Sequence, residues 1–398
     1  MSLPVYLDYN ATTPVAPPVA DAMEPYLRAH FGNPSSSHVY GQRARAAVER
    51  AREQVATAVG ADVTEIVFTG GATEANNLAI RGGAHALRQR GKHLITTAVE
   101  HPSVMQPMRR LEAEGWDVTV VAVDAYGRVD PAVIARAVRP DTVLVSIMHA
   151  NNEVGTVQPI AEIAAITRAC GIVLHCDAAQ SFGKIPVAVR TLDVDLLTLA
   201  GHKFYATKGV GALYVRRGTP ITPLLVGADH EHGLRPGTEN VPAIVGMGEA
   251  AWLAAANVTS EAARIRGLRD KLHALLCAEI PGIALNGHPE ERLPNTLNLS
   301  FPGISGRALL AQAAEQVAAS VGSACHAGGD AVSGVLGALG VSQERASGAV
   351  RLSLGTLTTS AEIEQVAQAL VVAWRRCLKA RAFSCSCTVD ILGGVSTG

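Results

Sequence analysis

A cysteine within a run of small residues is the first feature of the sequence that could do chemistry. Cys325 lies in segment 320–329, which reads Ser-Val-Gly-Ser-Ala-Cys-His-Ala-Gly-Gly. Small residues and glycine leave the backbone free to move, so a thiol here could meet a substrate and carry its cargo elsewhere. The alternative is a buried structural cysteine, which is the usual fate of a free thiol. A catalytic interpretation therefore needs partner residues elsewhere in the chain.

Three candidate partners follow runs of apolar residues, and they are His101, Asp177 and Lys203. A carboxylate such as Asp177 at the end of a buried strand must be paired, because burying an isolated charge is costly. Lys203 lies among Leu, Ala, Phe and Tyr, and desolvation lowers the pKa of a lysine and makes its amine a usable nucleophile and base. A lone histidine is more often a polar residue whose hydrogen bonds are satisfied within the protein. A functional role for His101 is therefore predicted only in combination with Asp177 and Lys203.

A glycine pair, Gly70-Gly71, leads into a predicted helix N-terminus at Ala72 and Thr73. Free N–H groups and the helix dipole there favour an anion such as phosphate. The spacing is neither a Walker loop nor a dinucleotide fingerprint, so by itself it favours a simple glycine turn capped by Thr73 over an anion site. An anion cradle, a histidine able to stack on a ring, a buried acid and a desolvated lysine together indicate pyridoxal phosphate, which needs a lysine Schiff base and an acidic partner for its ring nitrogen.

The elements that must position these residues are apolar strands that alternate with helical patterns between about residues 50 and 215. This alternation predicts a mostly parallel sheet covered on both faces, whose ligands bind beyond the carboxyl ends of the strands. Segment 210–215 follows the preceding strand too closely for a helical crossover, so we expect it to be an antiparallel partner. The other predicted strands are 65–69, 93–97, 118–123, 142–148, 172–177 and 196–199, with a predicted helix at 102–113.

Beyond about residue 250 the pattern changes to long helices, at 260–278 and 361–380, with shorter β-like pieces at 295–301 and 349–354. We therefore expect a large domain at 16–250 and a smaller α+β domain made of 1–15 and 251–383. The remaining residues, 384–398, are expected to form a disordered tail. Its Cys385-x-Cys387 pair lacks the further ligands of a metal site, and we expect no metal.

Composition argues for a globular protein without an electrostatic attraction to nucleic acid or membrane. The chain has 398 residues, 48% of them hydrophobic and 17% charged, with a formal net charge of -1. Its longest apolar runs fall short of the roughly 20 residues of a bilayer span. Seven cysteines, an odd number, and a start without a signal-peptide pattern predict a reducing, cytoplasmic location.

Several ordered blocks of the sequence resemble the cysteine desulfurases and selenocysteine lyases, in the class V branch of fold-type-I pyridoxal phosphate enzymes. The resemblance implies an α/β fold with a mostly parallel seven-stranded sheet in the large domain, a smaller α+β domain and a homodimer. The blocks that carry it are 6–14, 31–36, 148–155, 201–203, 234–240 and 350–355.

The resemblance also implies roles for individual residues around pyridoxal phosphate and the substrate. Arg351 would bind the substrate carboxylate, with Asn33 nearby, and Cys325 would accept the sulfur on a mobile loop. For the cofactor, the resemblance implies that Lys203 forms the Schiff base, Asp177 pairs with the ring nitrogen, and His101 stacks on the ring and transfers protons. Asn152 and Gln180 would contact the phenolic oxygen. Thr73 and His202, with Ala72 beside them, would bind the phosphate, and Thr238 would reach in from a partner subunit.

Three places depart from the pattern of the family. Ala200 stands where many desulfurases have a phosphate-binding serine. Segment 227–232 replaces a glycine-rich stretch that usually carries an arginine after its glutamate, and Tyr205-Ala206-Thr207-Lys208 replaces the common Tyr-Gly-Pro-Lys. These changes concern the pocket rim and the subunit contacts more than the chemistry.

The predicted activity is conversion of L-cysteine to L-alanine, with a persulfide on Cys325 for transfer to an acceptor protein that the sequence does not name. A selenocysteine lyase is the alternative, and nothing in the sequence separates the two substrates. An aminotransferase or kynureninase-like enzyme would need no Cys325. A catalytically silent sulfur carrier would need neither Lys203 nor Asp177.

Overall fold

The chain folds around a central seven-stranded sheet with helices on both faces. In this computed structural model, residues 3–321 and 333–389 are described, without the side chains of 381–389. The strands are β1 Val5–Tyr6, β2 Ile66–Thr69, β3 His93–Thr97, β4 Asp117–Val121, β5 Thr142–Met148, β6 Val173–Asp177, β7 Leu196–Ala200, β8 Gly211–Val215, β9 Ala284–Asn286, β10 Thr296–Ser300, β11 Val317–Ala318 and β12 Ala349–Ser353.

Helices connect most of these strands. They are α1 Pro17–Arg28, α2 Val39–Val59, α3 Ala72–Asn77, α4 Gly83–Leu87, α5 Pro102–Ala113, α6 Pro131–Ala137, α7 Ile160–Ala169, α8 Val189–Leu192, α9 Val241–Glu279, α10 Gly306–Ala313, α11 Gly334–Ala338, α12 Gln343–Ser347 and α13 Ser360–Val389, with a π-helical stretch at Leu78–Gly82 and 3-10 turns at Val63–Glu65, Gly201–Lys203 and Glu231–Gly233.

The central sheet has the strand order β2-β8-β7-β6-β5-β3-β4. Strands from β7 to β4 pair in parallel, whereas β8 pairs antiparallel with both β7 and β2. The predicted parallel sheet with one antiparallel partner is confirmed. The strand order places β6 between β5 and β7, so the carboxyl ends of these three strands meet at one edge.

Apart from the edge strand β4, the central strands are almost entirely buried, because successive side chains enter different cores. Leu144 of β5 packs with Val104 and Met108 of α5 on one face, whereas Val145 packs in the core that includes α2 and the start of α9. Side chains of a strand alternate between the two faces, and helices on both faces therefore favour apolar residues at most positions. This is why the strands read as unbroken apolar runs in the sequence.

A smaller antiparallel sheet, β12-β10-β9, lies with α10, α13 and the second half of α9 around a separate core. Strands β10 and β12 confirm the predicted β pieces at 295–301 and 349–354. The N-terminus joins this region, because β1 pairs in parallel with β11. The division of the chain into domains at residue 250 stays a prediction, since α9 runs through that residue and contributes to both cores.

Helix α9 begins at Val241, so the predicted start of the long helix near residue 260 is wrong. Glycines lower helix propensity, so the first turns of α9 could not be recognised as helical from the sequence. Packing explains them: a Cβ on Gly246 would lie 2.6 Å from Met23 Sδ of α1, and one on Gly248 would lie 2.6 Å from Ala51 Cα of α2. By length and composition alone, α9 could cross a membrane. Its first turns are instead buried in the core between α9 and the central sheet.

Helix α13 continues to Val389, beyond Ser384, where we expected irregular chain to begin. Its early apolar residues, among them Ile363, Val366 and Leu370, are buried in the smaller core, which nucleates a helix that the backbone then extends. Residues 390–398 lie outside the described part of the chain, as do the side chains of Cys385 and Cys387.

Candidate active site

A cavity of about 850 Å³ opens at the carboxyl ends of β5, β6 and β7. Pockets for small molecules and cofactors generally measure about 300–1,000 Å³, so this one has room for a cofactor and a small substrate. Nine of the residues expected from the sequence line it together: Ala72, Thr73, His101, Asn152, Asp177, Gln180, His202, Lys203 and Arg351.

Asp177 is the last residue of β6 and is buried, with its carboxylate held by N–H donors. Asn76 Nδ2 of α3 donates to Asp177 Oδ2 at 2.7 Å, and the main-chain N–H of Ala179 donates to Oδ1 at 2.9 Å. Neutral donors fix the carboxylate without neutralising it, so it can still attract a positively charged ring nitrogen. Asn76 was missed from the sequence, where only its place three residues after Thr73 could have indicated it.

His101 caps the N-terminus of α5 and has a defined tautomer. Its Nδ1 accepts a hydrogen bond from the Ser103 main-chain N–H at 3.1 Å and lies 2.8 Å from Ser103 Oγ. A main-chain N–H can only donate, so the neutral imidazole carries its proton on Nε2. Burial lowers the pKa of His101, with Asp177 opposing and Lys203 adding to the shift. At neutral pH the ring is therefore uncharged and presents an N–H.

Lys203 ends the short turn that follows β7. Its Nζ donates to the main-chain oxygens of Asn10 and Ala11, the second at 2.8 Å. The N-terminal segment thus crosses the cavity beside the lysine and orients its amine. The desolvated position predicted for Lys203 agrees with its partial burial. Asn10 was missed as an individual residue, although it belongs to the matched block 6–14.

The opposite part of the cavity wall contains the glycine turn before α3. Gly71 has a φ of 145°, which non-glycine residues rarely adopt, and the N–H groups of the first helical turn have no partner within the helix. The Gly70 N–H donates to Glu74 Oε2 at 2.8 Å, so it stabilises the turn itself. This geometry suits an anion at Ala72 and Thr73.

His202 lines the same cavity as a neutral imidazole. Burial, with the positive charges of Lys203, Lys208 and Lys184, lowers its pKa to about 4. Its Nδ1 lies 3.2 Å from Thr12 Oγ1. Ala200, at the end of β7, also lines the cavity and presents a methyl group there.

Arg351 reaches the cavity from β12 of the smaller sheet and is buried. Its Nη2 donates to Asp8 Oδ1 at 2.7 Å, and its Nη1 donates to the Asn152 main-chain oxygen at 3.0 Å. Its Nε is buried without a hydrogen-bond partner among the described residues. A buried guanidinium with an unsatisfied N–H favours an anionic ligand. Asp8, which fixes the guanidinium, was missed from the sequence except as part of block 6–14.

Two expected residues lie elsewhere, and a third is outside the described part of the chain. Asn33 and Thr238 are exposed and do not line the cavity formed by the described part of the chain. Their segments touch, because Ser35 Oγ lies 3.1 Å from His230 Nε2. Cys325 lies outside the described residues, so its predicted role stays a prediction.

Residues 5–366 match the aminotransferase class-V family. The cysteine desulfurase IscS of Anaeromyxobacter dehalogenans (strain 2CP-C) is 49% identical over 368 residues, which cover 92% of this chain and 91% of that protein. A solved NifS-like protein has a TM-score of 0.87 at 38% identity, covering 93% of this chain and 98% of the other. The structure of SspA in complex with cysteine has a TM-score of 0.79 at 38% identity and covers 88% and 98%.

These matches define the class first: a fold-type-I enzyme that depends on pyridoxal phosphate. Within that class, the chain belongs to the cysteine desulfurase branch of the aminotransferase class-V family. The cavity fits the cofactor, since it combines a lysine amine, a buried carboxylate, a neutral histidine and a helix N-terminus suited to phosphate. Lys203, Asp177, His101 and Thr73 are the residues that would hold it.

Proposed function

We propose that the protein is a cysteine desulfurase that removes sulfur from L-cysteine, leaves L-alanine and holds the sulfur as a persulfide on Cys325. The observation that carries the proposal is the convergence of Lys203, Asp177, His101 and Arg351 on one cavity. The relatives named as cysteine desulfurases, and the similar structure in complex with cysteine, support the same substrate.

Arg351 is positioned to bind the carboxylate of an amino acid. Asp8 and the Asn152 carbonyl hold two of its nitrogens, so the guanidinium plane is fixed before a substrate arrives. A planar guanidinium binds a carboxylate through two parallel hydrogen bonds, which orients the substrate as well as attracting it. The substrate carboxylate would then compete with Asp8 for the guanidinium N–H groups and satisfy Nε.

Lys203 and His101 are the residues that transfer protons. Pyridoxal phosphate supplies, when bound, an electron sink that acidifies the substrate α-carbon. Lys203, with its amine aligned by the carbonyls of Asn10 and Ala11, takes the α-proton. Neutral His101 carries a proton on Nε2 and is therefore a donor. A Cys325 thiolate could form through a lowered thiol pKa or through proton removal by His101, and this tautomer favours the lowered thiol pKa.

The overall reaction balances without any added oxidant. The C–S bond of L-cysteine breaks, an S–S bond forms at Cys325, and the substrate carbon that loses sulfur gains a proton and becomes the methyl group of L-alanine. The thiol of Cys325 becomes a persulfide, which a second protein must accept before the next turnover. We expect the location to be cytoplasmic.

The test is anaerobic turnover of L-cysteine and L-selenocysteine side by side, counting alanine and the persulfide on Cys325. We expect alanine from both substrates and a persulfide after cysteine. In Cys325→Ala we expect loss of cysteine turnover with retained selenocysteine turnover, because a selenol leaves with less help. Cys277→Ala, at an exposed cysteine of α9, is the control and should behave as the parent protein.

Two results would contradict the proposal. Full cysteine turnover by Cys325→Ala would exclude a persulfide at that residue as an obligatory step. Alanine from selenocysteine alone would make the enzyme a selenocysteine lyase.

We further propose that the protein is a homodimer. An exposed apolar surface, here called the 31/226 surface, supports this, and its members are Phe31, Val39, Tyr40, Leu225 and Val226. Asn33 and Thr238 lie on the same two segments, which contact each other through Ser35 and His230. A second copy docked here would cover the apolar side chains and bring Thr238 to the cavity of its partner.

A further inference from the structure

A second lysine, Lys184, lies next to the active site without lining its main cavity. Its Nζ donates to Gln180 Oε1 at 2.7 Å and to Asn10 Oδ1 at 2.9 Å. It also borders a small crevice on the other side of Lys203. Burial, with the positive charges of Lys203 and Arg351 nearby, lowers the pKa of Lys184 well below its usual range. Neither the pattern of the sequence nor the resemblance gave Lys184 a role.

The chemistry of a lysine decides how a neighbouring amide must turn. An ammonium group has three N–H donors and no acceptor, and a neutral amine still has two N–H donors, so both bonds persist in either protonation state. Gln180 must therefore turn its oxygen towards Lys184 and its Nε2 away from it. One N–H of Nε2 donates to the Asn10 main-chain oxygen at 2.9 Å. Gln180 lines the cavity, so its other N–H is the group available to a ligand.

The same lysine also holds Asn10. The side-chain oxygen of Asn10 accepts from Lys184 and from Asn295 Nδ2 at 3.0 Å, which leaves Asn10 Nδ2 to donate to Thr296 Oγ1 at 2.9 Å. The main-chain oxygen of Asn10 in turn accepts from Lys203. Lys184, Gln180, Asn10 and Lys203 thus form one continuous hydrogen-bond network.

We propose that Lys184 is a positioning residue for the reaction: it fixes the Gln180 amide so that an N–H, and not the oxygen, faces the phenolic oxygen of pyridoxal phosphate. Without Lys184, Gln180 Oε1 would be a buried acceptor without its donor, and the side chain would turn towards the O–H and N–H groups of the cavity. The inference rests on one part of the proposed function, namely that bound pyridoxal phosphate has its phenolic oxygen beside Gln180.

The test is a pH titration of the visible absorption of the holoenzyme, which reports protonation of the linkage between the cofactor and Lys203. An N–H donated to the phenolic oxygen stabilises the deprotonated linkage and so lowers its pKa. We expect Lys184→Met and Gln180→Ala each to raise the midpoint by about one pH unit, as expected for one hydrogen bond to a charged group. Lys184→Arg, which keeps the donors, should restore the parent midpoint.

The double variant Lys184→Met/Gln180→Ala separates this route from a direct effect of charge. If Lys184 acts through Gln180, the double variant has the same midpoint as Gln180→Ala. Additive shifts would overturn the proposal in favour of a direct charge effect, and an unchanged midpoint in Lys184→Met would overturn it outright. Lys92→Met, at an exposed lysine before β3, is the matched control and should leave the midpoint unchanged.

Two further measurements keep the outcome clear. The Tm of each cofactor-free variant reports any purely structural role, and a lowered Tm with an unshifted midpoint would contradict positioning. If Lys184→Met does not fold, Lys184→Gln, which has an N–H donor on a shorter side chain, should give a smaller upward shift, and no shift would overturn the proposal. The titration needs no cysteine turnover, so a failure of the proposed function is seen separately.

Discussion

Glu100 precedes His101 and shows how a single side chain at this site can carry an unusual charge state. It is buried, accepts hydrogen bonds from Thr97 Oγ1 at 2.7 Å and from the Met148 N–H at 3.0 Å, and lines the cavity. Burial raises its pKa to about 8, and the negative charge of Asp177 adds to the shift. At neutral pH the carboxyl group is therefore mostly protonated, so Asp177 is the carboxylate of the pair that carries the charge.

The raised pKa of Glu100 predicts a loss of stability as pH rises. In the unfolded chain Glu100 ionises near its ordinary pKa of 4.5, whereas in the folded protein it keeps its proton up to about 8. Its contribution is complete below pH 4.5 and is lost progressively up to about pH 8. Gln imitates the protonated carboxyl group and does not ionise. The free energy of unfolding of Glu100→Gln, relative to that of the parent protein, should therefore rise by on the order of a few kcal/mol between pH 5 and pH 8.

Urea unfolding of both proteins at the two pH values measures this gain. Glu112→Gln, on the exposed side of α5, is the control and should show no such change. An equal stability difference between parent and Glu100→Gln at both pH values would contradict the prediction.

At the scale of elements, a buried ion pair joins α2 to the 3-10 turn at Glu231–Gly233. Arg52 of α2 donates through Nη1 and Nη2 to the two carboxylate oxygens of Glu231, each at 2.7 Å. Glu231 also accepts from the Phe68 N–H of β2 at 2.7 Å, and the guanidinium stacks over the Phe68 ring at 4.9 Å. This pair fixes a segment that departs from the family pattern and that leads to Thr238.

Removing the carboxylate from this pair should be costly. Glu231→Gln leaves the Arg52 guanidinium buried without its counter-charge, and breaking a buried pair in this way typically costs about 3–5 kcal/mol. Glu49→Gln is the matched control, because Glu49 also pairs with Arg52 but is half exposed, and we expect a loss below about 1 kcal/mol. Denaturant unfolding measures both, and equal losses would argue against a dominant role of the buried pair.

At the scale of the whole molecule, the proposed homodimer rests on the 31/226 surface. Val226 is 99% exposed and Phe31 is 75% exposed, and their segments meet where Ser35 Oγ lies 3.1 Å from His230 Nε2. Single exposed apolar residues are normal, whereas several large ones on two segments that contact each other support an interaction surface. The exposed positions of Asn33 and Thr238 fit a site that is completed by a second copy.

In the proposed dimer, a charge on this surface should separate the subunits. We expect Val226→Asp to lower the mass measured by sedimentation equilibrium from dimer to monomer and to weaken cofactor retention, because Thr238 no longer reaches the cavity of its partner. Val120→Asp, on β4 at the opposite edge of the central sheet, is the control and should remain a dimer with its cofactor. A dimeric Val226→Asp that retains its cofactor would place the interface elsewhere.

Strand positions and the residues that follow them could be predicted from the sequence, because both depend on local patterns. Largely apolar runs mark strands covered on both faces, and Asp177 ends one such run whereas Lys203 lies three residues after another. In a parallel sheet the carboxyl ends of neighbouring strands share one edge, which is why these two residues meet in the cavity. His101 could be predicted in the same way, as a residue that follows the strand at 93–97, and the structure adds that it caps the helix predicted at 102–113.

Only the tertiary structure decided which residues surround them. Asn76 binds Asp177, Asp8 binds Arg351 and Lys184 binds Gln180 and Asn10, and three of these four contacts join residues far apart in the chain. The same holds for α9, whose glycines look unfavourable for a helix until α1 and α2 pack against them. Propensity and periodicity describe neighbours in sequence, whereas these contacts exist because packing brings distant segments together.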